Sequence, residues 1–200
     1  EREGIMINYK KVYRLYKEAC LSLRKKQRKK NYHKGGMPES PQEMLANERW
    51  SMDFVSDKSS SGRKFRVFTL IDEVTRECLA LEVDNSITGS VVGRYLDKTG
   101  MFRGYPKELL SDNGSEFTSK AMNTWTYEEQ IVQTFIDSGK PVQNAFIESC
   151  NGRVRDECLN QHLLKNLEEA RNIIIAWKNE YNQIRPANGN PVGESRAGYR

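Results

Sequence analysis

Residues 144–160 read Asn-Ala-Phe-Ile-Glu-Ser-Cys-Asn-Gly-Arg-Val-Arg-Asp-Glu-Cys-Leu-Asn, and their spacing predicts an amphipathic helix. One stripe of this helix is apolar, with residues three and four positions apart: Ile147, Cys150, Val154 and Cys158. The stripe beside it is polar: Glu148, Asn151, Gly152 and Arg155. Such a helix buries one side and presents a carboxylate on the other. It forms a site only where other carboxylates converge on Glu148, and Asp53 and Asp112 lie upstream on predicted strands.

The composition is that of a chain with enough apolar material for a core and with a basic N-terminal region. Of the 200 residues, 37 % are hydrophobic and 30 % are charged. No run approaches the roughly 20 apolar residues of a membrane span. Residues 1–34 hold 12 Lys and Arg against 3 Asp and Glu, whereas the rest holds 20 against 24. This asymmetry predicts a polyanionic partner for the N-terminal region.

The cysteines and histidines indicate neither a disulfide framework nor a zinc site. Cys20, Cys78, Cys150 and Cys158 lie within helix or strand patterns, so we interpret them as small buried hydrophobes in a reducing compartment. The two histidines are far apart and no Cys-x-x-Cys is present, so we expect no structural zinc. The chain opens at Glu1 without a secretory signal, and we expect it to be a piece of a longer protein.

A basic arm follows the first predicted helix, which covers residues 8–23. The arm carries six cations in seven residues: Arg24, Lys25, Lys26, Arg28, Lys29 and Lys30. Cations this close repel one another unless a polyanion neutralises them, so we favour contact with DNA phosphates. A solvated tail is the alternative.

The remaining pattern predicts an α/β fold in the order β-β-β-α-β-α-β-α-α. Strands are predicted from Trp50, at 65–71 and at 78–83, as an antiparallel meander, and again at 107–111 and 131–136. Helices are predicted from Val92 to Phe102, at 118–129, at 144–160 and from Leu167, with Asn166 and Glu169 as a capping box. We expect a DNA-binding region and basic arm at 1–30, a linker at 31–47, a core at 48–165 and a C-terminal helix and tail at 166–200.

Three carboxylates are expected to meet at one end of this sheet. Asp53 lies on the first strand, on the face opposite Trp50 and Met52, while Asp112 ends the fourth strand and Glu148 begins a helix. If the first strand is central and the fourth lies beside it, the two aspartates become neighbours. Carboxylates that share a small volume repel unless cations lie between them, and hard oxygen ligands suit Mg²⁺ or Mn²⁺. Two such ions about 4 Å apart activate an attacking oxygen and stabilise a leaving one.

The residues around these carboxylates resemble those of transposases of bacterial insertion sequences of the insertion-sequence-three type, and of the retroviral integrase core. Thirty-five residues separate Asp112 from Glu148, which matches the D,D-35-E spacing of that superfamily. The similar local motifs are Trp50-Ser-Met-Asp53-Phe, Ser111-Asp112-Asn-Gly-Ser-Glu-Phe117, Gly139-Lys-Pro-Val-Gln-Asn-Ala-Phe-Ile-Glu148-Ser and Arg153-Val-Arg-Asp-Glu-Cys-Leu159. Together, in this order and spacing, they are far more specific than any one alone.

The resemblance implies a ribonuclease-H-like fold with a five-stranded mixed sheet and metal-dependent DNA cleavage and strand transfer. It makes Asp53, Asp112 and Glu148 the catalytic residues and the ligands of Mg²⁺ or Mn²⁺, with two ions expected. Arg155, seven residues after Glu148, matches a basic position of the family, and Lys140, Asn144 and Arg153 are further candidates for DNA contact. The implied partners are the element's DNA ends, a target DNA and further copies of the chain in a synaptic complex. The implied location is cytoplasmic and nucleoid-associated, with no membrane partner.

Several alternatives stay open at this point. Arg155 is either a DNA contact or a solvated helix charge, and Asp72 and Glu116 are interpreted as turn or loop residues. Trp177 and Tyr181 are interpreted as core. The chain is alternatively a ribonuclease-H-like nuclease or a catalytically silent DNA-binding protein. It departs from the family at Ala187-Asn-Gly-Asn-Pro, where a His is expected, and residues 8–30 resemble only the last part of its helix-turn-helix region.

Overall fold

The computed structural model describes residues 8–19, 44–137 and 144–184. Residues 1–36 and 37–200 form two separate compact units. In the first unit, helix α1 covers Tyr9–Glu18, where a helix over 8–23 was predicted, and Asn8 caps it by accepting a hydrogen bond from Lys10 N at 2.9 Å. The basic arm lies outside the described residues, and so does the departure at 187–191. The domain boundaries drawn from the sequence stay predictions.

The second unit is built on one five-stranded sheet. Its strands are β1 (Arg49–Lys58), β2 (Lys64–Asp72), β3 (Cys78–Asp84), β4 (Glu108–Ser111) and β5 (Val132–Phe135). Their order across the sheet is β3-β2-β1-β4-β5, with β1, β2 and β3 antiparallel and β4 and β5 parallel to β1. The predicted mixed sheet with a central first strand is therefore confirmed.

Helices cover both faces of the sheet. Helices α2 (Gly89–Arg103) and α3 (Lys120–Glu128) belong to one side, and α4 (Ala145–Arg153) and α5 (Leu167–Ile184) to the other. The core beneath α2 and α3 includes Trp50, Met52, Phe68, Leu70 and Leu96. The core beneath α4 and α5 includes Val55, Val67, Ile147, Cys150 and Ile174. Because alternate residues of β1 supply the two cores, this strand is packed on both faces.

The helix predicted over 144–160 is α-helical only as far as Arg153. It continues as a π-turn at Val154–Cys158 and a 3₁₀ turn at Leu159–Gln161. The apolar stripe is nevertheless buried as predicted, with Val154 and Cys158 fully enclosed and Leu159 3 % exposed. Leu159 follows in the 3₁₀ turn and is buried beside Cys158, although on a regular α-helix it would lie about 100° around the axis from Cys158.

Other predictions made for single residues are largely confirmed. Cys78, Cys150 and Cys158 are buried and free, and Trp177 stacks on Tyr181 with ring centroids 4.9 Å apart against the core. Asn166 accepts a hydrogen bond from Glu169 N at 2.8 Å, as predicted. The reciprocal bond of a capping box is absent from the described hydrogen bonds, because Glu169 accepts from Lys165 N instead. Among the described residues, no helix is long and apolar enough to cross a membrane.

Asp72 ties together the end of the sheet that lies away from the predicted site. Its carboxylate is fully buried and accepts hydrogen bonds from Val74 N at 2.8 Å, Thr75 N at 3.1 Å and Asn47 N at 2.8 Å. The Arg103 guanidinium lies 3.5 Å from the same carboxylate. The interpretation of Asp72 as a turn residue is therefore confirmed.

Replacing Asp72 with Ala is expected to lower the free energy of unfolding by about 3 kcal/mol, because buried N–H groups lose their acceptor. Urea denaturation measures this loss. The matched control is Glu180→Ala, which removes an exposed carboxylate of α5 and should change stability by less than about 0.5 kcal/mol. Equal effects of the two substitutions would contradict the role given to Asp72.

Candidate active site

The central strand places Asp53 where the fourth strand ends. Ser51 of β1 is level with Leu110 of β4 in a parallel register, so Asp53, two residues on, is level with Asp112, the residue after β4. Because the side chains of β1 alternate, Asp53 is on the α4 side and its neighbours Met52 and Phe54 are on the other. The predicted adjacency of the two aspartates follows from this register.

The loop after β4 is held in place by its own aromatic residue. Phe117 is fully buried and stacks on Phe54, the neighbour of Asp53, with ring centroids 4.9 Å apart. Glu116 pairs with Arg66 of β2, as its interpretation as a loop residue allows. Gln133 of β5 donates a hydrogen bond to Phe117 O at 3.0 Å. The loop that carries Asp112 is therefore attached to three strands.

Within this loop the backbone turns around the Asp112 carboxylate. Gly114 N donates a hydrogen bond to Asp112 Oδ1 at 2.9 Å. A Cβ added at Gly114 would lie 2.9 Å from that same oxygen, closer than Cβ contacts normally allow. Asn113 donates to Ile136 O at 3.1 Å and so ties the loop to the end of β5. The Asp-Asn-Gly sequence thus shapes a turn that leaves Asp112 exposed at the strand end.

Helix α4 brings Glu148 and Asn151 to the same place from the other side. Ile147 and Cys150 anchor the helix in the core, so Glu148 is exposed in its first turn. Asn151, one turn later, donates a hydrogen bond from Nδ2 to Asp53 Oδ2 at 2.8 Å. The sequence analysis placed Asn151 on the polar stripe but assigned it no role. Its position three residues after Glu148 was the signal that it faces the same site.

The electrostatics of Asp53 show that the three carboxylates are close enough to interact. Burial raises the pKa of Asp53, and the negative charges of Asp112 and Glu148 raise it further. Hydrogen bonds from Phe54 N, at 2.7 Å, and from Asn151 act in the opposite direction but do not cancel the rise. The charges of both Asp112 and Glu148 thus act on the pKa of Asp53.

The donor set fits a hard divalent cation, although the side chains are not gathered around a common point. Within the described residues, no three Asp, Glu, His or Cys side chains lie close enough together to hold a metal ion. Glu148 and Asp112 are exposed, so their side chains have room to turn toward Asp53. Asn151 Oδ1 is buried and has no hydrogen-bond partner in the described part of the chain. Oxygen ligands and uncompensated negative charge are what Mg²⁺ or Mn²⁺ binds.

The residues predicted to contact DNA are placed differently from one another. Arg155 is exposed, and its Nη2 lies 3.5 Å from Ser56 O of β1, a contact too long to fix the side chain. The Arg153 guanidinium lies 5.9 Å from the Tyr181 ring centroid, so it extends toward α5 and away from Glu148. Asn144 is 7 % exposed, and Lys140 lies outside the described residues, as do Arg24 to Lys30.

The raised pKa of Asp53 predicts that removing its charge increases the stability of the fold, by an amount that depends on pH. A folded pKa above the ordinary 3.8 means that the folded state binds this proton more tightly than the unfolded chain does. Stability contributed by Asp53 is therefore lost as pH rises from 3.8 through the folded pKa. Asp53→Asn should be more stable than wild type without divalent metal, by an amount that grows across this window and then levels off.

Urea unfolding in EDTA at a series of pH values measures this difference. Asp156→Asn, which removes an exposed carboxylate near Arg155, is the control and should change stability little at any pH. A stability difference between Asp53→Asn and wild type that is independent of pH would contradict the electrostatic description of the site.

Comparisons with known proteins found two matching family models and similar insertion-element proteins. The Integrase core domain family matches residues 44–141, and a second family of the same description matches residues 129–189. A 31.7 kDa protein of insertion element IS407 from Burkholderia multivorans is 46 % identical over 93 % of this chain and 67 % of its own length. A 39.2 kDa protein of insertion element IS476 from Xanthomonas euvesicatoria is 46 % identical over 90 % of this chain and 52 % of its own length.

Solved structures confirm the predicted ribonuclease-H-like fold. The catalytic core domain of HTLV-2 integrase, in complex with magnesium, matches with a TM-score of 0.60 at 19 % identity. The match covers 73 % of this chain and 92 % of that one. The catalytic core domain of BIV integrase matches with a TM-score of 0.54 at 18 % identity, over 73 % of this chain. At such identities the likeness concerns the fold alone.

Proposed function

We propose that this chain, which belongs to the integrase core domain family of bacterial insertion-sequence transposases, cuts and joins DNA at Asp53, Asp112 and Glu148. DNA integration and transposition are the activities of this family, whose enzymes are polynucleotidyl transferases of the D,D-E type. The observation that carries the assignment of residues is the geometry around Asp53, which is level with Asp112 on the neighbouring strand and accepts a hydrogen bond from Asn151, three residues after Glu148. Burial raises the pKa of Asp53, and the charges of Asp112 and Glu148 raise it further.

A divalent cation completes the proposed site. The integrase core family generally uses one, and the HTLV-2 core was solved with magnesium. In this chain Asp53, Asp112 and Glu148 would hold Mg²⁺ or Mn²⁺, with two ions expected. When bound, such ions supply activation of the attacking oxygen and stabilisation of the leaving oxygen. Burial and then the charges of Asp112 and Glu148 raise the pKa of Asp53, and a cation would offset those charges.

The chain's own residues orient and support this chemistry. β1 fixes Asp53 rigidly, because the strand is hydrogen-bonded on one side to β2 and packed on both faces. Asn151 holds one carboxylate oxygen of Asp53. The Phe117 anchor holds the loop of Asp112. Positioning of this kind accounts for a large part of the lowering of the activation barrier in phosphoryl transfer, because the protein supplies little covalent chemistry.

Two successive displacements at phosphorus describe the proposed reaction. In the first, water attacks the phosphodiester at the element's end, and the bond to the 3′-oxygen breaks to release a 3′-hydroxyl. In the second, that 3′-hydroxyl attacks a phosphodiester of the target DNA, and the target's own 3′-oxygen leaves. Each step exchanges one P–O bond for another, so no further energy source is required.

The complete proposed assembly includes DNA and further copies of the chain. The chain spans 67 % of one curated relative and 52 % of another, so the activity of a whole transposase is part of the proposal. The HTLV-2 integrase core has been solved in trimeric and dimeric forms. We propose that this chain also assembles into a homo-oligomer. Arg155, Lys140 and the arm from Arg24 to Lys30 are the proposed DNA contacts.

Asp112→Asn is expected to lower DNA cleavage and strand transfer with Mg²⁺ by at least about 100-fold, since second-shell changes alone cost 10–100-fold. Affinity for DNA without metal should stay unchanged or rise slightly, because a negative charge has been removed. Labelled element ends and gel separation of nicked and joined products measure the first quantity, and fluorescence anisotropy measures the second.

The matched control for this experiment is Glu116→Gln, which alters a carboxylate in the same loop that pairs with Arg66. It should retain cleavage within a few-fold of wild type. Full activity of Asp112→Asn with Mg²⁺, or equal loss in both variants, would remove Asp112 from the active site.

A further inference from the structure

Unpaired positive charge is concentrated at one end of the sheet. Three exposed cations in the described part of the second unit pair with a carboxylate: Lys98 with Glu82 at 2.7 Å, Lys107 with Glu48 at 2.5 Å and Arg171 with Asp84 at 3.7 Å. In the described part of 44–184, exposed Lys and Arg side chains that contact neither a carboxylate nor an aromatic ring are Lys58, Arg63, Lys64, Arg94, Lys120, Arg155 and Lys165. All but Arg94 and Lys120 belong to the β1–β2 hairpin or to the segment between α4 and α5.

Two of these cations face each other directly across the hairpin. Lys58, the last residue of β1, is the register partner of Lys64, the first residue of β2. Directly opposed residues of an antiparallel pair point to the same face, and like charges in this position destabilise the hairpin. An anion bound between the two ammonium groups would remove that repulsion. The nearby Asp57 carboxylate does not do so, because it accepts a hydrogen bond from Lys58 N at 2.8 Å and its side chain points to the opposite face.

A small cavity with a mixed polar and apolar lining lies beside the same hairpin. Its volume is about 110 Å³, and it is lined by Ser59, Ser61, Arg63, Phe65, Asn85, Lys165, Asn166 and Leu167. Ser60 N donates a hydrogen bond to Leu164 O at 2.7 Å, which fixes the hairpin against the segment before α5. Glu169, one of two acidic residues in the first turn of α5, accepts a hydrogen bond from Lys165 N at 2.6 Å. Two cations and two hydroxyls around a cavity of this size suit a phosphate group.

The hairpin continues directly from the proposed active site. β4 ends at Ser111, so the part of β1 beyond Asp53 has no strand beside it on that edge, and Arg155 reaches Ser56 O there. From Asp53 to Lys58 the strand runs about 17 Å at ~3.4 Å per residue. Along B-DNA, which rises about 3.4 Å per base pair, this is roughly five base pairs.

We propose that the β1–β2 hairpin tip and the start of α5, through Lys58, Arg63, Lys64 and Lys165, form a second phosphate-binding surface for duplex DNA. Lys58 and Lys64 lie on the α2/α3 face of the hairpin, and Arg63 and Lys165 line the cavity on its α4/α5 face, so the surface surrounds the hairpin tip. The tip lies about five base pairs along β1 from the cleaved bond. The distance in base pairs rests on the proposed function, whereas the phosphate-binding surface itself does not. The surface orients the duplex, and it does not take part in the chemistry.

The experiment compares two pairs of neutralised cations in the Asp112→Asn background, in which binding is measured without cleavage. One variant is Lys58→Gln with Lys64→Gln, and the control is Arg94→Gln with Lys120→Gln. Both remove two exposed, unpaired positive charges from the same unit, and thermal melts verify that both fold. The probe is a 30-base-pair duplex of mixed sequence, and its affinity is measured against salt concentration.

The hairpin variant should reduce the slope of log affinity against log salt by about 1.8, because each lost phosphate contact removes about 0.9. The control should leave the slope within about 0.3 of wild type. Arg63→Gln with Lys165→Gln should behave like the hairpin variant. Unchanged slopes in both of these variants would overturn the proposal. An equal reduction in the control would also overturn it, because the effect would then come from the net charge of the protein and not from this surface.

A second measurement tests the distance. In a duplex with a cleavage site mapped with wild-type protein and Mg²⁺, neutral methylphosphonates replace single phosphates. A methylphosphonate about five base pairs from the cleaved bond should weaken DNA binding by the protein that keeps Lys58 and Lys64. It should not weaken DNA binding by the hairpin variant, which lacks both lysines. An equal loss of DNA affinity in both proteins would contradict the proposed distance between the surface and the cleaved bond. Failure of wild type to cleave would count against the active site alone, since the salt slopes still decide the surface.

Discussion

A carboxylate held half-buried on the central strand, with two further carboxylates acting on it, is the constraint on which the rest of this structure depends. Asp53 sits half-buried on the central strand, where burial and the charges of Asp112 and Glu148 raise its pKa. An arrangement of this kind persists only when the surrounding fold is stable enough to impose it. Here β1 is paired to β2 along its length and is packed between two apolar cores. Under the proposed function, a bound cation would offset this cost in stability.

The distribution of charge separates the structural end of the sheet from the functional end. Near the start of β1, buried acids have their partners: Asp72 binds backbone N–H groups and lies near Arg103, and Glu73 accepts a hydrogen bond from Ser51 and lies 3.8 Å from Arg49. Beyond Asp53, Arg66 and Arg171 pair with carboxylates, but Lys58, Lys64 and Arg155 have no carboxylate partner among the described contacts. The excess of unpartnered cations at this end agrees with the proposed binding of DNA there.

Much of this arrangement could be predicted from the sequence, because period and spacing determine it. Alternation predicted β1 and the face of Asp53, and the stripe from Ile147 to Cys158 predicted the buried side of α4. The π-turn at Val154–Cys158 was not predicted, because it depends on how the core accommodates both Cys158 and Leu159. Asn151 was placed on the correct face, yet its hydrogen bond to Asp53 depends on the distance between α4 and β1. The pairing of Lys58 with Lys64 likewise depends on strand register, which the sequence analysis did not assign.

The central claim is that Asp53, Asp112 and Glu148 together form a site for divalent metal. Anomalous X-ray scattering from crystals of the chain soaked in Mn²⁺ tests it most directly. The account predicts a peak bound by oxygens of these three carboxylates at about 2.1 Å, and its loss in Asp53→Asn crystals. A peak at other carboxylates such as Asp72 and Glu73, or the same peak in the Asp53→Asn protein, would contradict it.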